Sequence, residues 1–238
     1  MKNEETSVAP RSSEPRVLIL ETSGRLGRLA VARGRNLLAE RRLDGNRRHA
    51  RDLAPTVAEL CRQCGWRVRD LETVLVSRGP GSYTGLRVGF ISAKTLAYAT
   101  GCVFFAIDSF AAIARQAPAD VHQLDILADA QQENVYVQRW EQGRGRWQPI
   151  LPLMIRPVSQ WLAELPSGVW VSGPGLCAVQ PRLRSVNRAV PEDVREPLPE
   201  SLLAIGMDHW EAGEAEDLWL AEPLYLRPSN AERNWNKR

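Results

Sequence analysis

Short apolar runs alternate with helix-period segments along most of this 238-residue chain. Val17-Leu18-Ile19-Leu20 and Leu29-Ala30-Val31-Ala32 flank a turn containing Ser23, Gly24 and Gly27, and predict a β-hairpin with a third strand over Leu37 to Leu43. From His49 to Cys64 the period becomes helical, with Leu53, Val57 and Leu60 on one stripe and Gly65 as the stop. Pro55 inside it either starts the helix near Ala54 or kinks it. A buried strand over Thr73 to Ser77 then enters a glycine-rich turn and a helix from Gly85 to Thr100. Cys102 to Ile107 is another strand, and Asp108-Ser109 caps a short helix over Phe110 to Arg115.

After Ala117-Pro118-Ala119-Asp120 the opening pattern returns. Leu124 to Ala130 and Val135 to Trp140 predict a second hairpin around Gln131-Gln132-Glu133-Asn134, and a strand pair follows over Trp147 to Arg156. A helix over Val158 to Leu165 leads to a strand at Gly168 to Ser172 and a second Gly-Pro-Gly turn, Gly173-Pro174-Gly175. Leu202 to Trp210 is a helix expected to pack back on the first half, and Glu222 to Pro228 a last short strand. Two lobes that each begin with a hairpin and later show a strand and a glycine turn predict an α/β protein: a two-lobed, duplicated actin-like (ribonuclease H-like) fold, mixed sheets with helices on both faces. The expected divisions are a disordered tail at 1–15, lobes at 16–116 and 117–228, and a tail at 229–238.

The stretch Arg78-Gly79-Pro80-Gly81-Ser82-Tyr83-Thr84-Gly85-Leu86-Arg87-Val88-Gly89 is the strongest local signal. A strand passing through glycines into a helix start gathers free N–H groups and a positive dipole end, the shape of an anion cradle. Its spacing fits neither the Walker A pattern nor the dinucleotide fingerprint, because Leu86 follows Gly85 and the glycines read G-x-G-x-x-x-G. A tight structural turn is the competing reading. Within the helix Gly85, Gly89, Ala93 and Ala97 recur every four residues, with Ser92 and Ala99 beside them. Such a small-residue ridge admits a close neighbour, either the chain's own sheet or a helix of another subunit. Leu86, Phe90, Ile91 and Leu96 on the other side are expected in the core.

Composition narrows the chemistry. The chain is 44% hydrophobic and 25% charged with a net charge of +3, too small to argue for nucleic acid by itself. Of 31 basic residues only Lys2, Lys94 and Lys237 are lysines. The arginines at 41–51 and Arg227, Arg233, Lys237 and Arg238 either meet RNA phosphate or form a solvated face. No run approaches the length of a membrane span, residues 1–16 lack the apolar core of a signal peptide, and a cytoplasmic location is expected. Cys61-Arg62-Gln63-Cys64 lies on the stripe of Leu53, Val57 and Leu60, which favours core packing over zinc or redox chemistry. His49, His122 and His209 are isolated, so no metal site is expected. A phosphotransferase of the duplicated plan needs acidic and hydroxyl groups in its hairpin turns. Glu21, Thr22 and Ser23 offer a sparse first set and Asp129 the second, where Gln131 and Gln132 follow in place of Gly or Thr. A peptidase built on Ser82 has no G-x-S-x-G elbow behind it.

Five segments in order carry a family resemblance: Ile19-Leu20-Glu21-Thr22-Ser23; His49 before a helix; Gly79 to Gly89; Ala128-Asp129-Ala130 with Val135-Tyr136; and Ala221-Glu222-Pro223-Leu224-Tyr225-Leu226-Arg227. Over residues 16–228 the chain resembles the TsaB (YeaZ) family of tRNA threonylcarbamoyladenosine synthesis. The resemblance implies a non-catalytic scaffold subunit. Its partners would be a catalytic TsaD-like paralogue, met through first-lobe helices, and a TsaE-like ATPase. The complex transfers a threonylcarbamoyl group onto the adenosine beside the anticodon, so tRNA is met through the complex, and the chain alone forms a homodimer through the same surface. Carried onto this sequence, that surface comprises His49, Leu53, Val57, Gly85, Arg87, Gly89, Ser92 and Ala93. Glu21, Thr22, Ser23, Gly79, Gly81, Ser82, Thr84 and Asp129 would line a vestigial nucleotide cleft. No resident cofactor is implied, ATP or ADP being expected only where partners meet. Glu21 departs from the family's aspartate, and residues 1–15 have no counterpart. A free-standing actin-like ATP-dependent phosphotransferase is the alternative.

Overall fold

The computed structural model describes residues 12–43 and 49–224, with His49 and Ala50 described by backbone alone. Residues 1–11, 44–48 and 225–238 lie outside the described residues, and with them most of the expected N-terminal tail, part of the arginine cluster, the end of the 222–228 strand and the whole C-terminal tail.

The first sheet takes β1 (Arg16–Glu21), β2 (Arg28–Arg33), β3 (Asn36–Arg42), β4 (Thr73–Gly79) and β5 (Val103–Asp108) in the order β3-β2-β1-β4-β5. β1 pairs antiparallel with β2 and parallel with β4. As a central strand it buries both faces, which is why its apolar run is unbroken. Leu18 and Leu20 face a core filled by α1 (His49–Gln63) and α2 (Tyr83–Thr100). Val17 and Ile19 face the other side, with Ala112 of α3 (Ser109–Arg115) and Leu202, Leu203, Met207 and Trp210 of α6 (Pro199–Glu211). The last helix therefore packs on the first sheet. Bare Gly206 lets it approach β4, since a Cβ there would lie 2.4 Å from Leu75 Cδ1.

The second sheet runs β10-β6-β7-β8, from β6 (Gln123–Asp129), β7 (Asn134–Gly143), β8 (Arg146–Pro149) and β10 (Trp170–Ser172), and β9 (Met154–Pro157) also pairs with β7. Val158 and Trp161 of α4 (Val158–Glu164) and Leu176 and Val179 of α5 (Leu176–Val179) cover one face. Phe110, Ile113 and Ala114 of α3 cover the other, so α3 lies between the two sheets. Buried Asp125 on β6 is tied across the strand pair to Arg139 on β7 at 2.6 and 2.9 Å and accepts from Trp161 Nε1 at 2.9 Å.

The two halves repeat one construction. In each, a hairpin's first strand has a parallel neighbour that ends in Gly-Pro-Gly: β4 beside β1 and β10 beside β6. Gly79 and Gly173 take φ values of +100° and +99°, a region that favours glycine. A Cβ on Gly81 would lie 2.4 Å from Ser23 O, and one on Gly173 would lie 2.2 Å from Leu127 O. Each turn thus closes on the end of its own lobe's hairpin strand. This is the duplicated, two-lobed actin-like fold that the repeated pattern predicts. The repeats diverge beyond the turn, where the first continues into an 18-residue helix and the second into a 4-residue helix.

Four sequence expectations shift. Pro55 lies inside α1, which begins at His49 as its helical period predicts and not near Ala54. α2 begins at Tyr83, before Gly85, because the Ser82 hydroxyl caps it by accepting from Gly85 N–H at 3.2 Å. Ile91 is 64% exposed and outside the core. Glu222 to Leu224 form no strand, although Leu224 N–H donates to Arg78 O at 2.8 Å.

Candidate functional site

The glycine turn and the first hairpin turn meet in a polar cluster at the end of the first sheet. Glu21 ends β1 and is 1% exposed. Its Oε1 accepts from Ser23 N–H and Ser23 Oγ–H, both at 2.6 Å, and from Gly24 N–H at 2.9 Å. The network continues to the neighbouring strands. Gly79 N–H donates to Ser109 Oγ at 3.2 Å, and Ser109 Oγ–H donates to Ser23 Oγ at 3.0 Å. A relay of hydroxyls so joins the glycine turn to the Glu21 carboxylate, each bond polarising the next. Ser82 N–H donates to Ser23 O at 2.8 Å, and Thr22 N–H to Ser77 Oγ at 3.3 Å.

Burial pushes the Glu21 pKa up from 4.5, against the hydroxyls of Ser23 and Ser77 and the N–H groups of Gly24 and Ser23, which draw it down. Among the described residues, Glu21 Oε2 and Thr22 Oγ1 are buried without a hydrogen-bond partner. Asp108 is raised by burial too, while its Oδ1 caps α3 by accepting from Phe110 and Ala111 N–H at 2.7 and 3.0 Å.

Glu21, Thr22, Ser23, Gly79 and Gly81 therefore come together at one end of the sheet and pack against one another, with Ser82 exposed at the edge of the cluster. Thr84 is exposed on the first turn of α2. Asp129 serves its own hairpin, accepting from Gln131 N–H at 2.7 Å, and among the described residues no hydrogen bond links it to the Glu21 cluster. In that second turn Gln131, Gln132 and Glu133 all have positive φ, braced by Asn134 Nδ2 donating to the carbonyls of Gln131 and Gln132. Sequence reasoning missed Ser77, Ser109 and Glu196. Ser109 reads in sequence only as a helix start, and Glu196 reaches the site from 171 residues beyond Arg25.

The small-residue ridge of α2 is resolved in favour of the chain's own sheet. Cβ atoms at Gly85 and Gly89 would each lie 2.0 Å from Thr22, from its carbonyl oxygen and its Oγ1 respectively, and Ala93 is fully buried. Leu53 and Val57 are also core residues, 5% and 2% exposed. The expectation that Leu53, Val57, Gly85, Gly89 and Ala93 meet a partner is thus overturned: the apolar stripe of α1 and the small stripe of α2 both face the β-sheet. The side chain of His49 lies outside the described residues. Arg87, on the outer face, stacks over Tyr83 at 4.3 Å, and Ser92 is half-buried.

The outer face of α2 instead carries Ile91 and Tyr98, 64% and 71% exposed. A C-terminal strap lies beside them. Glu216 Oε1 accepts from Ala106 N–H at 3.1 Å, Leu218 and Ala221 touch the first core, and Lys94 Nζ donates to the carbonyls of Trp219 and Ala221 at 3.3 and 3.1 Å. The strap presents Trp219 and Leu220, 72% and 78% exposed, with Trp219 edge-to-face on Tyr98 at 5.6 Å. Among the described residues, no group of three His, Cys, Asp or Glu could hold a metal ion, and no helix is long and apolar enough to cross a membrane.

Comparison with known proteins places these features. Residues 38–172 match the family model described as TsaD, tRNA N6-adenosine threonylcarbamoyltransferase. The chain is 26% identical over 231 residues to the tRNA threonylcarbamoyladenosine biosynthesis protein TsaB of Bacillus subtilis, covering 92% of this chain and 97% of that one. It is 28% identical over 200 residues to the protein of the same name from Escherichia coli, covering 80% and 84%. The structure of YeaZ from Pseudomonas aeruginosa superposes with a TM-score of 0.74 at 23% identity, over 89% of this chain and all of that one, and so shares its fold. Matched over more than half its length by the family model and along nearly all of it by the B. subtilis relative, the chain belongs to the TsaD family of tRNA threonylcarbamoyladenosine biosynthesis, among its TsaB (YeaZ) members.

Proposed function

We propose that this chain is a non-catalytic subunit of the assembly that places threonylcarbamoyl on the adenosine next to the tRNA anticodon, and that it acts by pairing with a catalytic TsaD-like paralogue. The observation that carries this reading is the contrast between its two candidate surfaces. The polar turn cluster is spent on itself: the N–H groups of Ser23, Gly24 and Arg25 bond to the chain's own carboxylates. The outer face of α2 and the strap leave Ile91, Tyr98, Trp219 and Leu220 in water. Exposed aromatic and aliphatic groups grouped in this way are the composition of an interface core.

In this reading the first-lobe helices meet the partner through their outer faces, with Arg87 at the rim. A TsaE-like ATPase joins the pair, nucleotide is held only where partners meet, and tRNA is engaged through the complex. Without its paralogue the chain pairs with itself through the same face. The test is reconstitution: the paralogue alone, and the paralogue with this chain, are supplied with tRNA and the threonylcarbamoyl adenylate. Modification that depends on this chain, and that survives Glu21→Gln, supports a scaffold role; modification equally fast without the chain refutes it.

A further inference from the structure

The first hairpin turn offers three successive backbone donors, a concave arrangement that suits an anion. Ser23 and Gly24 N–H go to Glu21 Oε1 at 2.6 and 2.9 Å, and Arg25 N–H goes to Glu196 Oε1 at 3.3 Å. Glu196 comes from the loop before α6 and is held in place from two sides. Gln116 Nε2 donates to the carbonyls of Val194 and Glu196 at 3.0 and 2.8 Å, and Gln116 Oε1 accepts from Leu198 N–H at 2.8 Å. The neighbouring Arg195 is buried, its Nε donating to Val190 O at 2.7 Å and its Nη1 to Gln180 Oε1 at 2.9 Å. The turn accommodates the intruding carboxylate because residue 24 has no side chain: a Cβ there would lie 3.0 Å from Glu196 Oε2 and 3.7 Å from Glu21 Oε1.

We infer that Glu196 is an intramolecular plug, a carboxylate delivered across the lobes to the spot on the first hairpin turn that a phosphoryl group would take. Carboxylate and phosphate oxygens compete for the same N–H donors. A phosphoryl ligand would have to displace Glu196 or lie beside its charge. The plug also links the hairpin to the segment leading into α6, so release of Glu196 loosens that segment from the turn. The turn of the wild-type chain is therefore closed, and an opened turn binds a phosphoryl anion.

The test uses the full chain, with inorganic phosphate and, in a parallel arm, ADP without metal. Amide chemical shifts and titration calorimetry are the readouts. Removing one adjacent negative charge and freeing one donor in Glu196→Ala raises phosphate affinity roughly tenfold or more over wild type, with the largest shifts at Gly24 and Arg25. Gln116→Ala, which frees the loop and keeps the carboxylate, moves the affinity in the same direction by a smaller factor. An equal gain for ADP and phosphate assigns the site to the bare phosphoryl group, and a larger gain for ADP assigns it to a nucleotide. Should wild type and Glu196→Ala bind phosphate equally, or neither bind while both remain folded by circular dichroism, the plug is refuted.

Discussion

Gly89 rests directly on Thr22: a Cβ at position 89 would lie 2.0 Å from Thr22 Oγ1. A glycine inside a helix costs about 0.5–1 kcal/mol relative to alanine, and this contact is what it is exchanged for. The end of β1 and its hairpin turn can approach α2 only where the helix is bare. Gly89→Ala therefore lowers stability by about 1–3 kcal/mol despite its better helix propensity. Thr22→Ala removes the clashing hydroxyl, so the double variant recovers much of the loss. Gly85→Ala meets the Thr22 carbonyl oxygen, at 2.0 Å, and Thr22→Ala gives no such recovery there. Urea unfolding of the five variants reads the cycle; additive losses in the Thr22/Gly89 pair would refute the contact.

Glu21 makes stability depend on pH in a known direction. Its folded pKa is raised above the ordinary 4.5 by burial, so the folded state favours the protonated acid. The associated stability is fully present below 4.5 and is lost as pH rises through the folded pKa. Glu21→Gln keeps an oxygen to accept from Ser23 and Gly24 and removes the ionisation. The stability difference between wild type and Glu21→Gln accordingly shifts against wild type as pH rises above 4.5. Asp108, raised as well, is common to both proteins and cancels. A difference flat with pH would contradict the assignment.

Asp125 and Arg139 form the polar centre of the second sheet. Removing only Arg139 leaves a carboxylate 1% exposed with, among the described residues, Trp161 Nε1 as its remaining side-chain partner. Arg139→Leu is expected to cost about 3–5 kcal/mol, whereas Asp125→Leu/Arg139→Leu costs less than the sum of its single changes by about 1 kcal/mol or more. Thermal or urea unfolding measures both.

The duplicated fold was legible because it depends on local patterns. Apolar runs such as Val17 to Leu20 mark central strands, and the two Gly-Pro-Gly turns mark where parallel neighbours close on hairpins. The ridge at Gly85 and Gly89 was legible as a close approach, but not as to what approached, since periodicity names a helix face without naming its neighbour. Only the position of Thr22 decides it. Ile91 follows the same logic, being an apolar residue whose side of the helix faces away from the sheet. Glu21, Thr22 and Ser23 could be grouped from one turn. Glu196 could not, because nothing local marks a glutamate that reaches the turn from the other lobe.

Whether the outer face of α2 and the strap form the partner surface is measured most directly by sedimentation of the chain with its TsaD-like paralogue. Ile91→Arg and Trp219→Ala change residues 64% and 72% exposed, so both variants fold with wild-type unfolding midpoints. A wild-type heterodimer is expected, with at least about tenfold weaker association for each variant, a loss of about 1.4 kcal/mol or more. Wild-type affinity in both variants, or no heterodimer at all, would contradict it.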